Sequence, residues 1–417
     1  MSDLPWGGPA PTGPDGLAAL RAIGRERFSA LGFPDTSNEA WHYTSTKKLL
    51  DAPWASTERA SIEPAALAPW RVADAAAEYV FVNGHLRADL SRTHETPVRV
   101  SSLQSATDVE KVGAFAPIVD GFGALSAALA QDGLVIYAPR GADGRQAIHI
   151  LHVVTGEATV AHPRHLVIAE ANAHVSVLST TAHTNGRALV NETVEVELAA
   201  GARVDWQNVD ALGEGSVIRR TSAVLGRDAT FRRHTTTLSG ALVRDEVSVR
   251  LDGVGAVTHL DGLALPSTGE HADHRTVIEH PAARGTTTES YRAVVGSGGR
   301  SVFDGTVIVG KGGSQTDARQ SSRNLLLADD AEADARPRLE IYTDDVKCAH
   351  GTTVGQLDAA QLHYLRSRGI PLTEARTMLI QAFVAETFAS VADEGHRARL
   401  AALVDARLAT LLGVSEA

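Results

Sequence analysis

The chain has 417 residues, a formal net charge of −11 and a single cysteine, Cys348. Its length predicts two or three domains with ample surface to bury. The negative charge argues against nucleic-acid binding and against docking on anionic lipid. A lone cysteine cannot form an internal disulfide, and a free thiol fits a reducing compartment. Because the first residues show no secretion signal and no apolar run could span a bilayer, we expect a cytoplasmic protein without membrane contact.

The N-terminal region, residues 1–77, is predicted to be a tail followed by helical structure. Residues 1–16 are rich in Pro and Gly, which favours a loose tail. Apolar residues then recur at roughly helical spacing over residues 17–31, and Gly32-Phe33-Pro34 ends the pattern. We therefore predict one amphipathic helix in this region.

Residues 78–355 are predicted to form a β-rich core with an internal repeat. A turn of Gly, Asn or Asp followed by Ala recurs with spacings of 29, 27 and 27 residues, at Ala173, Ala202, Ala229 and Ala256. The segments between the turns alternate apolar and polar residues, as half-buried strands do. Strands repeated at this period bury their apolar faces against their neighbours in a solenoid. The spacing therefore favours a β-helix with the four alanines at equivalent corners, and an antiparallel sandwich with evenly spaced hairpins is the alternative.

A looser copy of the turn follows at residues 299–302. It lies 44 residues after the turn at Gly255, which is longer than the regular period. This spacing indicates either an insertion or an extra half-turn of the solenoid.

The C-terminal region, residues 356–417, changes to a helical period. Residues 357–368 predict a first helix ended by Gly369. Thr373 is the predicted N-cap of a second helix, and Gly395 is predicted to break it. Apolar residues over 400–411 then form a third helical stripe. We predict that a small helical domain closes the chain.

The residues with the most distinctive chemistry are Cys348 and His350. On an extended segment, residues i and i+2 point to the same face, so the thiol and the imidazole are expected side by side. A thiolate and a neutral imidazole are ligands for soft or borderline metals such as ferrous iron. Because the chain has one cysteine, it cannot supply a four-cysteine or three-cysteine site, and the simplest source of further ligands at Cys348 is another polypeptide.

The segment around this pair resembles the SufD family, whose members are subunits of the SufBCD iron–sulfur cluster assembly complex. Ala349 stands where the family more often has Ser. The resemblance covers most of the chain, and the blocks that carry it are residues 344–355, 320–327, 337–341, 355–358 and 364–370, with Glu39-Ala40-Trp41-His42-Tyr43-Thr44 near the N-terminus.

The resemblance implies a mainly β protein, a right-handed parallel β-helix flanked by N-terminal and C-terminal helical regions. It implies a non-catalytic scaffold subunit that works with SufB and the ATPase SufC to assemble and transfer Fe–S clusters. Cys348 and His350 then face SufB as candidate ligands of iron or of a cluster, and SufC docks on the C-terminal helices. No cofactor is expected to bind stably to the chain alone, although a transient Fe–S cluster or iron is expected in the complex. In isolation the chain is a possible homodimer.

Two other segments carry residue types that occur in metal or phosphate sites. His271, His274 and His280 lie in one strand-like segment, but His274 and His280 are about 20 Å apart along a strand, so we expect hydrogen bonds rather than one metal site. The sequence Gly310-Lys311-Gly312-Gly313 lacks the spacing of a phosphate-binding P-loop and is predicted to be a turn.

Two alternative functions stay open on the residues alone. A β-helix carbohydrate lyase or epimerase could use the acidic pairs Asp329-Asp330 and Asp344-Asp345, although aromatic residues for sugar stacking make up only 5% of the chain. A thiol enzyme could use Cys348 activated by His350, although the sequence shows no third group to orient the imidazole.

Overall fold

The structure is a computed structural model that describes residues 4–6, 17–56, 60–106 and 109–413. Most of the loose tail predicted over residues 1–16 lies outside the described residues. The centre of the chain is a β-solenoid built from two facing sheets, and from β8 onward successive strands alternate between them. Among the strands described, only β2–β3 and β4–β5 pair antiparallel. The predicted β-helix with helical ends is therefore confirmed, and the antiparallel sandwich is wrong.

The elements of the fold follow in chain order. The helices are α1 (Ala18–Leu31), α2 (Lys47–Leu50), α3 (Gly121–Ala128), α4 (Ala359–Ser367), α5 (Leu372–Ala385) and α6 (Glu394–Leu412). The strands are β1 (Ala55–Ser56), β2 (Ala77–Val82), β3 (His85–Leu86), β4 (Arg99–Ser102), β5 (Leu134–Ala138), β6 (Asp143–Val154), β7 (Thr159–Ala161), β8 (Arg164–Ala169), β9 (His174–His183), β10 (Ala188–Leu198), β11 (Arg203–Ala211), β12 (Ser216–Leu225), β13 (Thr230–Ser239), β14 (Leu242–Arg250), β15 (Val257–Ala264), β16 (His271–His280), β17 (Thr286–Val295), β18 (Arg300–Val309), β19 (Thr316–Leu326), β20 (Glu332–Ile341) and β21 (Val346–Gly355).

The repeated turns are corners of the solenoid with left-handed backbone. Asn172, Gly201, Asp228 and Gly255 have φ angles of 58°, 68°, 55° and 75°. Gly, Asn and Asp adopt this conformation at the lowest steric cost, which explains the residue choice in the repeat. The alanine that follows each of them is buried, and it immediately precedes β9, β11, β13 and β15, which pair in register. The prediction of four equivalent corners is confirmed.

The irregular spacing at residues 299–302 comes from a half-turn. Arg300 begins β18, which lies in the sheet opposite to β9, β11, β13 and β15. The next equivalent corner in their own sheet precedes Thr286, which pairs with Val257. The extra half-turn is therefore correct, and residues 299–302 are a corner of the other sheet.

The outer face of the first sheet is partly covered by α3. Every residue of α3 is buried, and Ser126 of this helix contacts Thr193 of β10 through the two hydroxyl oxygens at 2.7 Å. Strand β10 is consequently buried on both faces except at Glu197, so the predicted half-buried alternation is wrong there. The division at residues 77 and 355 stays a prediction.

The Glu-Ala-Trp-His-Tyr-Thr motif forms a strap across the same sheet. Trp41 is buried, donates a hydrogen bond to Asp120 at 3.1 Å and carries the Arg244 guanidinium 3.8 Å above its ring. Further along the solenoid, Glu39 pairs with Arg336 at 2.6 Å and with Arg338 at 3.0 Å. The motif therefore ties the N-terminal region to strands near the end of the solenoid.

The C-terminal helices pack on the outer face of the second sheet. Apolar residues of α5 and α6 form one buried cluster with apolar residues of the sheet, which are Val209, Leu238, Leu263, Leu265 and Val294. Two details of the predicted helices are wrong. Thr373 lies inside α5, which follows Pro371 directly, and Gly395 lies inside α6, whose N-terminus is capped by the Asp393 side chain. None of the helices in the described part of the chain is long and apolar enough to cross a membrane.

Candidate functional site

The predicted pair lies at the open end of the solenoid. Cys348 and His350 are on β21, the terminal strand of its sheet, where they pair with Ala318 and Gln320 of β19. The strand is extended, so both side chains lie on the face that continues the solenoid interior. Cys348 is half-buried against the apolar core, whereas His350 is exposed. We call these two residues the rim site.

The environment of the rim site favours the protonated form of the thiol. Burial raises the pKa of the Cys348 thiol, and the nearby Asp317 carboxylate acts in the same direction. A catalytic thiol needs a lowered pKa, so this environment disfavours a thiol nucleophile.

Polar side chains continue inward from the rim site. Glu289, Gln320 and His350 occupy one row on three neighbouring strands. Gln320 Nε2 donates to Glu289 Oε2 at 2.6 Å, and both side chains are buried. Burial raises the pKa of Glu289 to about 7, although hydrogen bonding to Thr276 and Gln320 opposes the shift. The Gln320 side chain fits here because residue 305 is a glycine. A Cβ atom at Gly305 would lie 2.2 Å from Gln320 Nε2.

The three histidines of β16 do not form one site. His271 faces outward beside Thr44, at 3.4 Å. His274 and His280 face the interior, where they contact Thr237 at 3.3 Å and Thr287 at 2.8 Å. Each imidazole thus has its own hydroxyl partner, which agrees with the expectation of hydrogen bonds.

A row of charged residues crosses the solenoid interior. Glu192, Arg219, Asp245 and His274 are in register on β10, β12, β14 and β16, and all four are buried. Arg219 donates to Glu192 and, with two nitrogens, to Asp210 at 2.8 and 3.1 Å. We call Glu192, Asp210, Arg219, Arg233 and Asp245 the interior ion ladder.

Strong pairing keeps this ladder charged despite its burial. Arg233 donates to both oxygens of Asp245, at 2.7 and 2.8 Å. Burial disfavours the charged form of Glu192, but Arg219 and two histidines outweigh it and lower the pKa of that carboxyl. For Asp245, Arg233 and Arg219 outweigh burial in the same way and lower its pKa. By residue type, the ladder contains three carboxyl groups and two guanidinium groups.

Two histidines, His152 and His165, lie beside Glu192 at one end of the ladder. His152 Nε2 and His165 Nε2 lie 3.0 Å apart, and Glu192 Oε1 lies 3.7 Å from the first and 3.6 Å from the second. In the described part of the chain, these three side chains form the group of His, Cys, Asp or Glu residues whose ligand atoms lie close enough together, within 4.8 Å, to hold one metal ion. Burial lowers the pKa of His152 to about 4 and that of His165 to about 3.

Sequence reasoning did not find these three residues. They come from β6, β8 and β10, and their register depends on how the turns stack. The available signal was a histidine inside otherwise apolar strands, as in Ala147-Ile148-His149-Ile150-Leu151-His152 and His165-Leu166-Val167-Ile168. A buried polar group needs a partner, so such a histidine indicates a second polar group on a neighbouring strand.

Comparison with known proteins identifies the family. A model of the SufBD core domain of the SUF system for FeS cluster assembly matches residues 152–383, and a model of the SufBD N-terminal region matches residues 12–150. The chain is 30% identical over 392 residues to the iron–sulfur cluster assembly protein SufD of Escherichia coli, covering 92% of this chain and 91% of that protein. It is 28% identical to a SufBD family protein of Synechocystis, covering 94% and 91%, and 28% identical to SufD of Bacillus subtilis, covering 68% and 66%.

The solenoid, its helical ends and these matches together define the class of protein: the chain belongs to the SufBD family of iron–sulfur cluster assembly proteins. Within that family, its 30% identity to the Escherichia coli protein named SufD, over 92% of the chain, makes it a SufD homologue.

Proposed function

We propose that the chain is a non-catalytic scaffold subunit that assembles and transfers Fe–S clusters together with a SufB-like subunit and a SufC-like ATPase. The observation that carries this proposal is the position of Cys348 and His350 on the terminal strand of an open solenoid. A thiol and an imidazole at such an end are available to a ligand set completed by another chain.

The open end has the properties of a subunit interface. In the described part of the chain, β20 pairs with β18 and β21 pairs with β19, and each is the last strand of its sheet, so the outer edge of each strand offers backbone groups for pairing. Large apolar side chains are exposed at this end, including Tyr342 with 60% of its surface accessible. Edge pairing and apolar contact both favour a partner with a matching solenoid end, for which a SufB-like chain is the candidate. In isolation, a second copy of this chain is proposed to use the same end.

The chemistry of the rim site fits a transient ligand better than a permanent one. Two side chains cannot hold iron or a cluster alone, and the raised pKa of Cys348 makes proton loss part of binding. We therefore expect no stable cofactor on the isolated chain, and iron or an Fe–S cluster at the interface of the complex. The free thiol and this chemistry support a cytoplasmic location.

The energy source for assembly is proposed to be the ATPase partner. The sequence carries no P-loop spacing, and the C-terminal helices expose apolar residues such as Tyr364, Leu372 and Met378. Exposed apolar residues on one helical region are a basis for docking a partner.

The test is cluster content in a complex that carries His350→Ala. His350 is exposed, so its removal leaves no core cavity and folding is expected to survive. A single side chain rarely dominates a large interface, so complex yield is expected to stay near wild type. Iron and acid-labile sulfide in the co-expressed complex are expected to fall at least about tenfold, and Cys348→Ala is expected to cause a smaller loss.

The matched control is Thr352→Ala, which removes an exposed side chain from the same face of β21 without removing a metal ligand. Wild-type cluster content in the His350→Ala complex contradicts the proposal. An equal loss in the Thr352→Ala complex attributes the effect to the interface and not to ligation.

A further inference from the structure

The three-residue group in the solenoid interior has the spacing of a metal site. A tetrahedral ion with ligands at about 2.0–2.1 Å places its ligand atoms roughly 3.3–3.4 Å from one another. The distances among His152 Nε2, His165 Nε2 and Glu192 Oε1 are 3.0, 3.7 and 3.6 Å, which lie on both sides of that value. Small side-chain shifts are enough to place all three atoms around one ion.

Glu192 provides an independent sign of a missing partner. Its side chain is fully buried, and Oε2 accepts from Arg219. Its other oxygen, Oε1, has no hydrogen-bond partner in the described part of the chain and faces the two imidazoles. An unpaired oxygen of a buried carboxylate is costly, and a cation is one way to satisfy it.

The charge of the surroundings also favours a cation. The interior ion ladder has one more carboxylate than guanidinium groups, so it carries an excess negative charge in a region shielded from water. Asp132 adds a further buried carboxylate, which accepts hydrogen bonds from Leu86, Ser102 and Gly133. A buried charge is stabilised by an opposite charge or by a metal.

We propose that His152, His165 and Glu192 form a buried site for a divalent transition-metal ion, zinc or ferrous iron. Two imidazole nitrogens and a carboxylate oxygen are ligands that both ions accept. Its ligands come from the neighbouring strands β8 and β10 of the first sheet and from β6 of the facing second sheet, and the site is well apart in the fold from the rim site on β21. An ion there links β6, β8 and β10, and it acts as a structural metal.

Ion binding requires a change of tautomer at His165. The Leu134 N–H donates to His165 Nδ1 at 3.1 Å, so the neutral ring carries its hydrogen on Nε2, which faces His152. For Nε2 to ligate an ion, the ring hydrogen moves to Nδ1 and the hydrogen bond from Leu134 is given up, so that His165 ligates as a neutral imidazole.

The experiment measures metal in the intact chain. The wild-type chain is expressed in defined medium supplemented with zinc, iron or cobalt, purified through chelator, and analysed by elemental mass spectrometry. Because the ligands are buried, the ion enters during folding and is expected to resist the chelator at about one ion per chain. The zinc and iron arms identify the preferred ion, and the visible absorption of the cobalt form reports four-coordinate geometry.

Variants assign the ion to the three ligands. His152→Gln and Glu192→Gln are expected to lower retained metal at least about tenfold. His162→Gln is the matched control, because His162 is another buried histidine nearby, which contacts Asn191. The Cys348→Ser/His350→Ala double variant is expected to keep the ion, which separates this site from the rim site.

Two outcomes overturn the proposal. One is a wild-type chain without retained zinc, iron or cobalt from any of the three media. The other is retained metal that survives His152→Gln or disappears with the rim variant. If a ligand variant yields no folded protein, the cobalt spectrum of the wild-type chain decides, since four-coordinate and six-coordinate cobalt absorb differently.

Discussion

At the residue scale, Glu289 has an uncommon position for a carboxyl group. It is buried two strands behind His350 and takes its hydrogen bond from an amide, and no cation pairs with it in the part of the chain described. Burial without a counter-charge disfavours ionisation, which explains the raised pKa of about 7. Glu289 therefore binds its proton more tightly in the folded chain than in the unfolded chain, which makes stability depend on pH.

The pKa of Glu289 predicts a loss of stability as pH rises. Below the ordinary carboxyl pKa of 4.5, the folded and unfolded chains are both protonated at this residue. Between that value and about 7, the unfolded chain releases the proton first, so the free energy of unfolding falls, by up to about 3 kcal/mol. Urea unfolding of wild type and Glu289→Gln at pH 5 and pH 8 is expected to show a smaller decrease in the variant.

The control is Glu340→Gln, at an exposed carboxyl on β20. Its pH dependence is expected to follow that of the wild type. If Glu289→Gln loses as much stability as the wild type between the two pH values, Glu289 is ionised in the folded chain without cost and the argument from burial is wrong.

At the element scale, the left-handed corners control how the turns of the solenoid close. Gly201 has φ 68°, and a Cβ added there would lie 2.4 Å from Asn172 Oδ1 of the preceding corner. A β-branched residue in this conformation is strained. We expect Gly201→Val to lower the free energy of unfolding by about 2 kcal/mol, measured as a lower thermal midpoint.

Asn172→Gly is the matched change at the equivalent corner one turn earlier. Glycine accepts the φ of 58° there, so this variant is expected to stay within about 1 kcal/mol of the wild type. Similar midpoints for Gly201→Val and Asn172→Gly contradict the idea that corner conformation limits stability.

At the scale of the whole molecule, the C-terminal helices cannot be separated cleanly from the solenoid. Arg292 of β17 donates to the Phe383 carbonyl oxygen at 2.6 Å, and Arg407 of α6 donates to the Leu265 carbonyl oxygen at 3.1 Å. Removal of α5 and α6 exposes the apolar strip that these helices cover on the second sheet. A truncated chain is therefore a poor test of ATPase binding, because loss of binding and loss of solubility coincide.

A point substitution on the exposed side of α5 tests the same idea. Met378 has 43% of its surface accessible, so Met378→Glu places a charge in the proposed docking surface without disturbing the buried cluster. Co-purification of a SufC-like ATPase with the variant is expected to fall at least about tenfold. The thermal midpoint of the isolated chain is expected to stay unchanged.

Val119→Glu is the control, because Val119 is another exposed apolar residue, with 64% of its surface accessible, and it directly precedes the Asp120 N-cap of α3, far along the chain from α5. Its co-purification with the ATPase is expected to match the wild type. If Met378→Glu co-purifies with as much ATPase as the wild type does, the docking surface lies elsewhere on the chain.

The sequence by itself determined the features that depend on neighbouring residues. The corners at Ala173 and Ala202 follow from local backbone preference, and their period predicts stacking. The shared face of Cys348 and His350 follows from the two-residue period of one strand. Helix ends were less accurate, since Thr373 is a good N-cap by residue type, but Pro371 precedes the helix that forms.

Only the tertiary structure decided which polar residues meet. His152, His165 and Glu192 lie on three strands, and a shift of one residue in any of them turns its side chain to the other face. The alignment of Glu289 with His350, two strands apart in one row, depends on strand register in the same way. Register in a solenoid is set by the sum of contacts between all turns, so a pattern read along one segment cannot supply it.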